Sequence, residues 1–313
     1  MADHHLPLER ATLHGNFDAT RTPALTIDPG DRVVTSSMDA GWHTAPGEHF
    51  PDRDPKTDGG HALTGPIAVR GARPGSTLMV QIEELRPGDW GWNAAGGFDS
   101  PWNRQLGMAE EEWLQLDWTV DVEAGHARDQ FGHTVPLRPF LGVMGMPPAA
   151  PHAVPTAPPR ATGGNIDCRE LVAGSTLYLP VAVDGGLFSC GDGHATQADG
   201  ELSGMAIECP MDRIALRFDV RDDLHLATPR AETPAGWLTF GFHEDLDQAA
   251  AIAVGAMLDL MGELTGLERR VALALSSLVV DLRVTQMVNG IKGCHALLPH
   301  EALPSLRGTD DKA

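Results

Sequence analysis

Two short stretches of this sequence concentrate side chains that can bind a metal or move a proton. Residues 163–168 read Gly-Gly-Asn-Ile-Asp-Cys, and residues 189–201 read Ser-Cys-Gly-Asp-Gly-His-Ala-Thr-Gln-Ala-Asp-Gly-Glu. Asn165, Asp167, Asp192, His194, Asp199 and Glu201 thus sit among glycines, which permit tight turns and let loops converge on one point. Carboxylates with an imidazole suit a divalent cation such as Zn²⁺ with an open position for water, and a carboxylate left free beside it can serve as general base. The plainer reading is that Asp-Gly and Gly-Asp pairs are turn residues and that a single loop histidine faces solvent. Spacing alone leaves both open. Cys168, beside Asp167, is a poor nucleophile, because a thiolate needs a base or a positive field. It reads better as a small buried hydrophobe.

The elements that must position these groups are mostly strands. Ile214, Leu216, Phe218 and Val220 alternate with Arg213, Arg217 and Asp219, the period-two pattern of a half-buried strand. Leu116–Val122, Leu78–Ile82 and Leu177–Val183 repeat it, each bounded by Gly, Pro or Asp. The last of these carries the chain between the two chemical loops, so a hairpin would bring Asp167 near Asp192 and His194. The Pro-rich run from Met146 to Pro159 reads as a linker or as an ordered loop. Near the C-terminus the pattern changes. Leu246, Ala249, Ala250, Ala253, Met257 and Leu260 have helical spacing, with Asp245 or Asp247 as N-cap and Gly266 as the stop. A second helix over Leu267–Ser276 and a strand over Val279–Val288 follow. The expected fold is mainly β, with a β-sandwich-like core and a smaller C-terminal α+β part. The expected division is 1–225, a β-rich catalytic region, and 226–313, the C-terminal α+β region.

Composition bounds the partners. The chain has 313 residues, 23 Lys+Arg against 43 Asp+Glu, and a net charge of −20. Such a surface repels phosphate backbones and anionic headgroups, so neither nucleic acid nor a membrane is expected as a partner. Gly (35) and Pro (24) approach a fifth of the chain, which argues against a helical bundle. No basic region followed by an apolar run opens the sequence, and no window reaches the ~18 apolar residues of a membrane helix. Cys168, Cys190, Cys209 and Cys294 form no CxxC pair. Reduced thiols in a cytoplasmic protein are expected.

Gly163-Gly164-Asn165-Ile166-Asp167-Cys168-Arg169-Glu170-Leu171 and the run Ala173–Val181 closely resemble the acetamidase/formamidase family. So does Gly185-Gly186-Leu187-Phe188-Ser189-Cys190-Gly191-Asp192-Gly193-His194-Ala195, leading on to Gln197, Asp199-Gly200-Glu201 and Ala206-Ile207-Glu208. Thr64–Ile67 with Gly71–Gly75, and Asp281–Asn289, match more loosely. The resemblance implies a mainly β, homo-oligomeric hydrolase that converts short linear amides to ammonia and a carboxylate. It implies a divalent metal, zinc first and calcium second, held by Asp39, Asp192 and His194. Glu201 or Asp167 would then be the proton acceptor and Asn165 the oxyanion donor. Arg169 stands where Lys is frequent, so it can act as a cation but not as a proton shuttle.

The chain also departs from the family's pattern: Ala40-Gly41-Trp42-His43 follows Asp39, Ala161-Thr162 precedes the double glycine, and Ala198 precedes Asp199. These departures bear on the substrate more than on the reaction. Trp42, Trp90, Trp92, Trp102 and Trp113 either line a pocket for a bulkier amide or pack the core. Two other readings stand beside amide hydrolysis. One is a cupin-like metal oxygenase or isomerase, against which stands Thr196 where a His-x-His pair needs its second histidine. The other is a non-catalytic module binding a small ligand.

Overall fold

The computed structural model describes residues 1–306. Two large sheets face one another. The first has nine strands in the order Asp3–His5, Arg32–Ser37, Met211–Arg221, Thr77–Pro87, Thr176–Pro180, Arg230–Thr233, Gly236–His243, Lys292–Pro299 and Asp281–Gln286. The second is built around Phe188–His194, which pairs with Phe140–Gly145, Glu208–Cys209 and Leu63–Val69. Alternating apolar residues of both sheets meet in one core, where Phe188 packs edge-on against Phe218 at 5.3 Å between ring centroids. The sandwich expectation holds. The strand expected over Leu177–Val183 ends at Pro180, whose missing N–H cannot continue a ladder.

The division expected at residue 225 falls between hydrogen-bonded neighbours of one sheet, since Leu177 pairs with Ala231 and Tyr178 with Arg230. The helices add a layer on that same sheet. Helix Leu246–Thr265 is capped by the Asp245 carboxylate, which accepts from the Gln248 N–H at 3.0 Å, and stops at Gly266 in the left-handed region (φ 77°). It buries Ala249, Ala253, Met257, Leu260 and Met261, each large side chain contributing about 1.5–3 kcal/mol. Gly241 lets it approach: a Cβ there would lie 2.0 Å from the Ala249 carbonyl oxygen. The second helix spans Arg269–Val279 and the last sheet strand Asp281–Gln286. Residues 307–313 of the expected C-terminal region lie outside the described residues. No single helix among the described residues is long and apolar enough to cross a membrane.

The Pro-rich run is an ordered loop. Val154–Pro155 pairs with Asn16–Phe17, and Arg160 donates to the carbonyls of Pro155 and Pro158 at 2.7 and 2.8 Å.

Two buried histidines set an acid limit on this fold. Burial brings His14 and His295 from the ordinary 6.5 to about 3. The His14 Nδ1–H donates to the Asn16 carbonyl at 2.7 Å, so its Nε2 accepts from the Ser189 hydroxyl at 2.9 Å. Between those two pH values the unfolded chain binds protons that the folded chain refuses, so stability rises with pH across the window. Each histidine is expected to cost about 1.4 kcal/mol per pH unit on acidification below 6.5. Thermal melts between about pH 7 and about pH 4 check this. His295→Gln should flatten the dependence by one proton, and an unchanged slope would contradict the assignment.

Candidate active site

Strand Phe188–His194 carries Asp192 and His194 through the middle of the second sheet. Cross-strand register sets their neighbours: His194 pairs with Phe140 on one side and Glu208 on the other, and Val143 pairs with Asn165 beyond. After Asn165 the chain doubles back. The Asp167 N–H reaches the Gly142 carbonyl at 3.2 Å, so the Asp167 carboxyl lies over the neighbouring strand Phe140–Gly145 beside Gly142. Glu201 arrives on a loop tied to the last sheet strand, where Gly200 donates to the Thr285 carbonyl at 3.0 Å. Asp167, Asp192 and Glu201 all have positive φ (54°, 59° and 47°), a conformation that non-glycine residues adopt only where the surroundings impose it.

The result is a buried cluster of four carboxylates and one imidazole. Oxygens of Asp192 and Glu208 lie 3.5 and 3.4 Å from His194 Nε2. Two trios, Asp167/His194/Glu201 and Asp192/His194/Glu208, each bring ligand atoms within 4.8 Å of one another. Gly142 makes the room. A Cβ there would lie 2.3 Å from Asp192 Oδ2, 2.7 Å from His194 Cε1 and 2.8 Å from Asp167 Oδ1. Both His194 ring nitrogens, Asp167 Oδ1, Glu201 Oε2, Glu208 Oε2 and Asn165 Oδ1 are buried without a protein hydrogen-bond partner. Buried polar atoms cost free energy unless something satisfies them, and these converge. Carboxylate oxygens with one imidazole fit a divalent cation.

The electrostatics follow from crowding. Burial, then the Asp192 charge, drives the Asp167 carboxyl well above the usual carboxylate range. Burial, then Asp167, does the same to Glu201, and burial raises Glu208. Burial also opposes charge on His194, but the Glu208 and Asp192 carboxylates outweigh it and raise its pKa. For Asp192 the balance runs the other way: His61 and His194 outweigh burial and hold it low.

Asn165, Asp167, Asp192, His194 and Glu201 are all buried, and all but Asn165 belong to the two trios. Asp39 stands outside both trios. Its carboxylate accepts from the His43 N–H and the His43 ring at 2.7 Å each and from Trp92 Nε1 at 2.8 Å, so its oxygens are already engaged. Glu208, Asn289, His61 and Gly142 were not assigned from the sequence. Glu208 had a signal, the one acid in the run Ala206-Ile207-Glu208-Cys209-Pro210. Asn289 donates to Asp167 Oδ2 at 2.7 Å from 122 residues away. All four cysteines are buried and unpaired, and burial pushes the Cys190 thiol up to about 12, so none is a nucleophile.

Two cavities flank the cluster. A cleft of about 700 Å³ is lined by Glu208, His61 and Trp92, and one of about 550 Å³ by Glu201, Gln197 and Arg169. The tryptophans divide between the two expected roles. Trp42 is fully buried in a small core with Leu13, Met38 and Ala62, whereas Trp90, Trp92 and Trp113 line a further cavity of about 620 Å³.

A model of the acetamidase/formamidase family matches residues 3–153 and 148–303. The formamidase of Methylophilus methylotrophus is 28% identical over 242 residues, or 61% of this chain and 60% of that protein. The chain thus spans about three fifths of the length of that curated relative. Two crystal structures are similar throughout. The predicted acetamidase/formamidase of Thermoanaerobacter tengcongensis superposes with TM-score 0.83 at 26% identity, covering 98% of this chain and 99% of that one. The acetamidase of Bacillus halodurans superposes with TM-score 0.83 at 26% identity, covering 96% and 99%. With its buried carboxylate–histidine cluster carried on the matched segments, the chain belongs to the acetamidase/formamidase family.

Proposed function

We propose that this chain hydrolyses the C–N bond of a linear amide, releasing ammonia and a carboxylate. The observation that carries the reading is the convergence of Asp167, Asp192, His194, Glu201 and Glu208 in two trios that share His194, with ligand atoms of Asp167, His194, Glu201 and Glu208 left unpartnered and room for Asp167, Asp192 and His194 made by Gly142. The names of the relatives, formamidase and acetamidase, point to the same chemistry. Asp192, His194 and Glu208 would hold a divalent metal, zinc first among the candidates, with Glu208 in the role that the sequence reading gave to Asp39. When bound, such an ion polarises a carbonyl and lowers the pKa of water.

The remaining groups belong to the chain. Glu201 and Asp167, whose carboxyls hold protons more tightly than usual, take the proton of the attacking water and return it to the leaving nitrogen. Asn289 holds one Asp167 oxygen at 2.7 Å and so orients the other. Asn165 supplies an amide donor to the developing oxyanion.

Metal content and ammonia release are measured together on the purified chain, with formamide, acetamide and longer amides. Chelation is expected to abolish release and added zinc to restore it. Full turnover by metal-free protein overturns the metal assignment, and no ammonia from any amide overturns the hydrolase reading.

A further inference from the structure

The cleft beside Glu208 is far larger than a formamide or an acetamide. At about 700 Å³ it leaves room for a substrate longer than a one- or two-carbon amide. Its charge is equally out of keeping with the rest of the chain. The net charge is −20, and most arginines elsewhere are drawn into ion pairs, as Arg32 and Arg217 are with Glu83 and Arg230 is with Glu263.

Four cations around this cleft are not so paired. Arg53 and Lys56 line it directly, while Glu208 is the one carboxylate in its lining among the described residues. Arg53 is held in place by its Nε–H, which donates to the Asp58 carbonyl at 3.1 Å, and by the Trp42 ring beneath its guanidinium at 5.5 Å. Arg21 donates to Asn16 Oδ1 at 2.8 Å, and its buried Nε has no partner. Arg160 donates to the carbonyls of Pro155 and Pro158. Asn16 and Pro155 are themselves part of the cleft wall. Placing Arg53 and Lys56 in one cleft without a carboxylate partner costs mutual repulsion and desolvation, and a bound anion recovers that cost.

We infer that the substrate carries a carboxylate as well as the amide. It is a half-amide of a short dicarboxylic acid, with its acid end between Arg53 and Lys56 and its amide end at Glu208 and His194. The shape argument agrees: buried Glu208 forms the floor of the cleft and exposed Lys56 its mouth, so a linear molecule with different ends fits one way round. Charge-assisted bonds of this kind discriminate strongly against a neutral isostere. This inference rests on the amidase reading above.

The test compares kcat/KM for malonamate, succinamate and glutaramate with that for the neutral diamide of the same length. At low ionic strength the best half-amide is expected to exceed its diamide by at least about tenfold, and salt should erode the preference. In the double variant Arg53→Gln/Lys56→Gln the ratio is expected to fall to about one. Lys56→Gln alone, on an exposed side chain, keeps the test available should the double variant fold poorly, and should lower the ratio about threefold. A ratio near one in the native chain, or a ratio that the variants leave unchanged, overturns the inference while amide hydrolysis stands. Failure to release ammonia from any of these compounds overturns the hydrolase reading itself.

Discussion

His194→Ala is expected to lower kcat/KM for amide hydrolysis by about a thousandfold or more and to leave the purified chain without bound metal. His194 is the one residue shared by both trios of candidate ligands. Its ring is almost wholly buried, packs edge-on against Phe140 at 4.9 Å, and presents two nitrogens that no protein group satisfies. Removing it takes away the only nitrogen donor of the cluster and leaves the Asp192 and Glu208 carboxylates to face one another without a cation between them. Such a buried pair cannot stay doubly ionised, so the variant should take up a proton on folding. Metal analysis, steady-state kinetics and a thermal melt on the same preparation separate loss of the site from loss of the fold. Undiminished hydrolysis with metal still bound would remove His194 from the mechanism.

Gly142→Ala is the sharper test, because residue 142 contributes no functional group. The added methyl would sit 2.3 Å from Asp192 Oδ2 and 2.7 Å from His194 Cε1, closer than real atoms approach. Gly142 is not among the glycines with positive φ, so alanine strains no backbone there and its whole effect falls on the neighbouring side chains. Those side chains must move by a substantial fraction of an ångström, and displacements of that order at reacting groups cost about 100-fold. The expected outcome is a fall of about 100-fold in kcat/KM with weakened metal binding, against a loss of only about 1–3 kcal/mol in stability. Kinetics beside a denaturant melt check both halves. Unchanged kinetics would mean that the reacting centre lies elsewhere.

The elements whose signals are local were legible from the residues. Period-two alternation located strand Met211–Arg221, and spacing of Ala and Leu with Asp245 and Gly266 at its ends located helix Leu246–Thr265 to within a residue or two. The expected hairpin between the two chemical loops was less accurate. Thr176–Pro180 pairs within the first sheet, with Thr77–Pro87 and Arg230–Thr233, while Asp167 meets Asp192 through the second sheet by way of Phe140–Gly145. The two loops do meet, but by a route that their spacing did not reveal.

Local patterning specifies the mainly β character and the terminal helices, and it singles out Asn165, Asp167, Asp192, His194 and Glu201 as able to bind metal or move protons. Each is announced by glycine, proline or a periodicity acting over a few residues, because turns, caps and pleats are settled between near neighbours. Which carboxylates lie together depends on pairing between strands distant in the chain. Glu208 joins His194 through antiparallel register, Gly142 on a third strand leaves room for Asp192, His194 and Asp167, and Asn289 reaches Asp167 from the C-terminal segment. Asp39 stands outside both trios, its oxygens accepting from His43 and Trp92. These contacts depend on cross-strand pairing and on the absence of one methyl group, quantities that no local pattern encodes because the partners are distant in the chain.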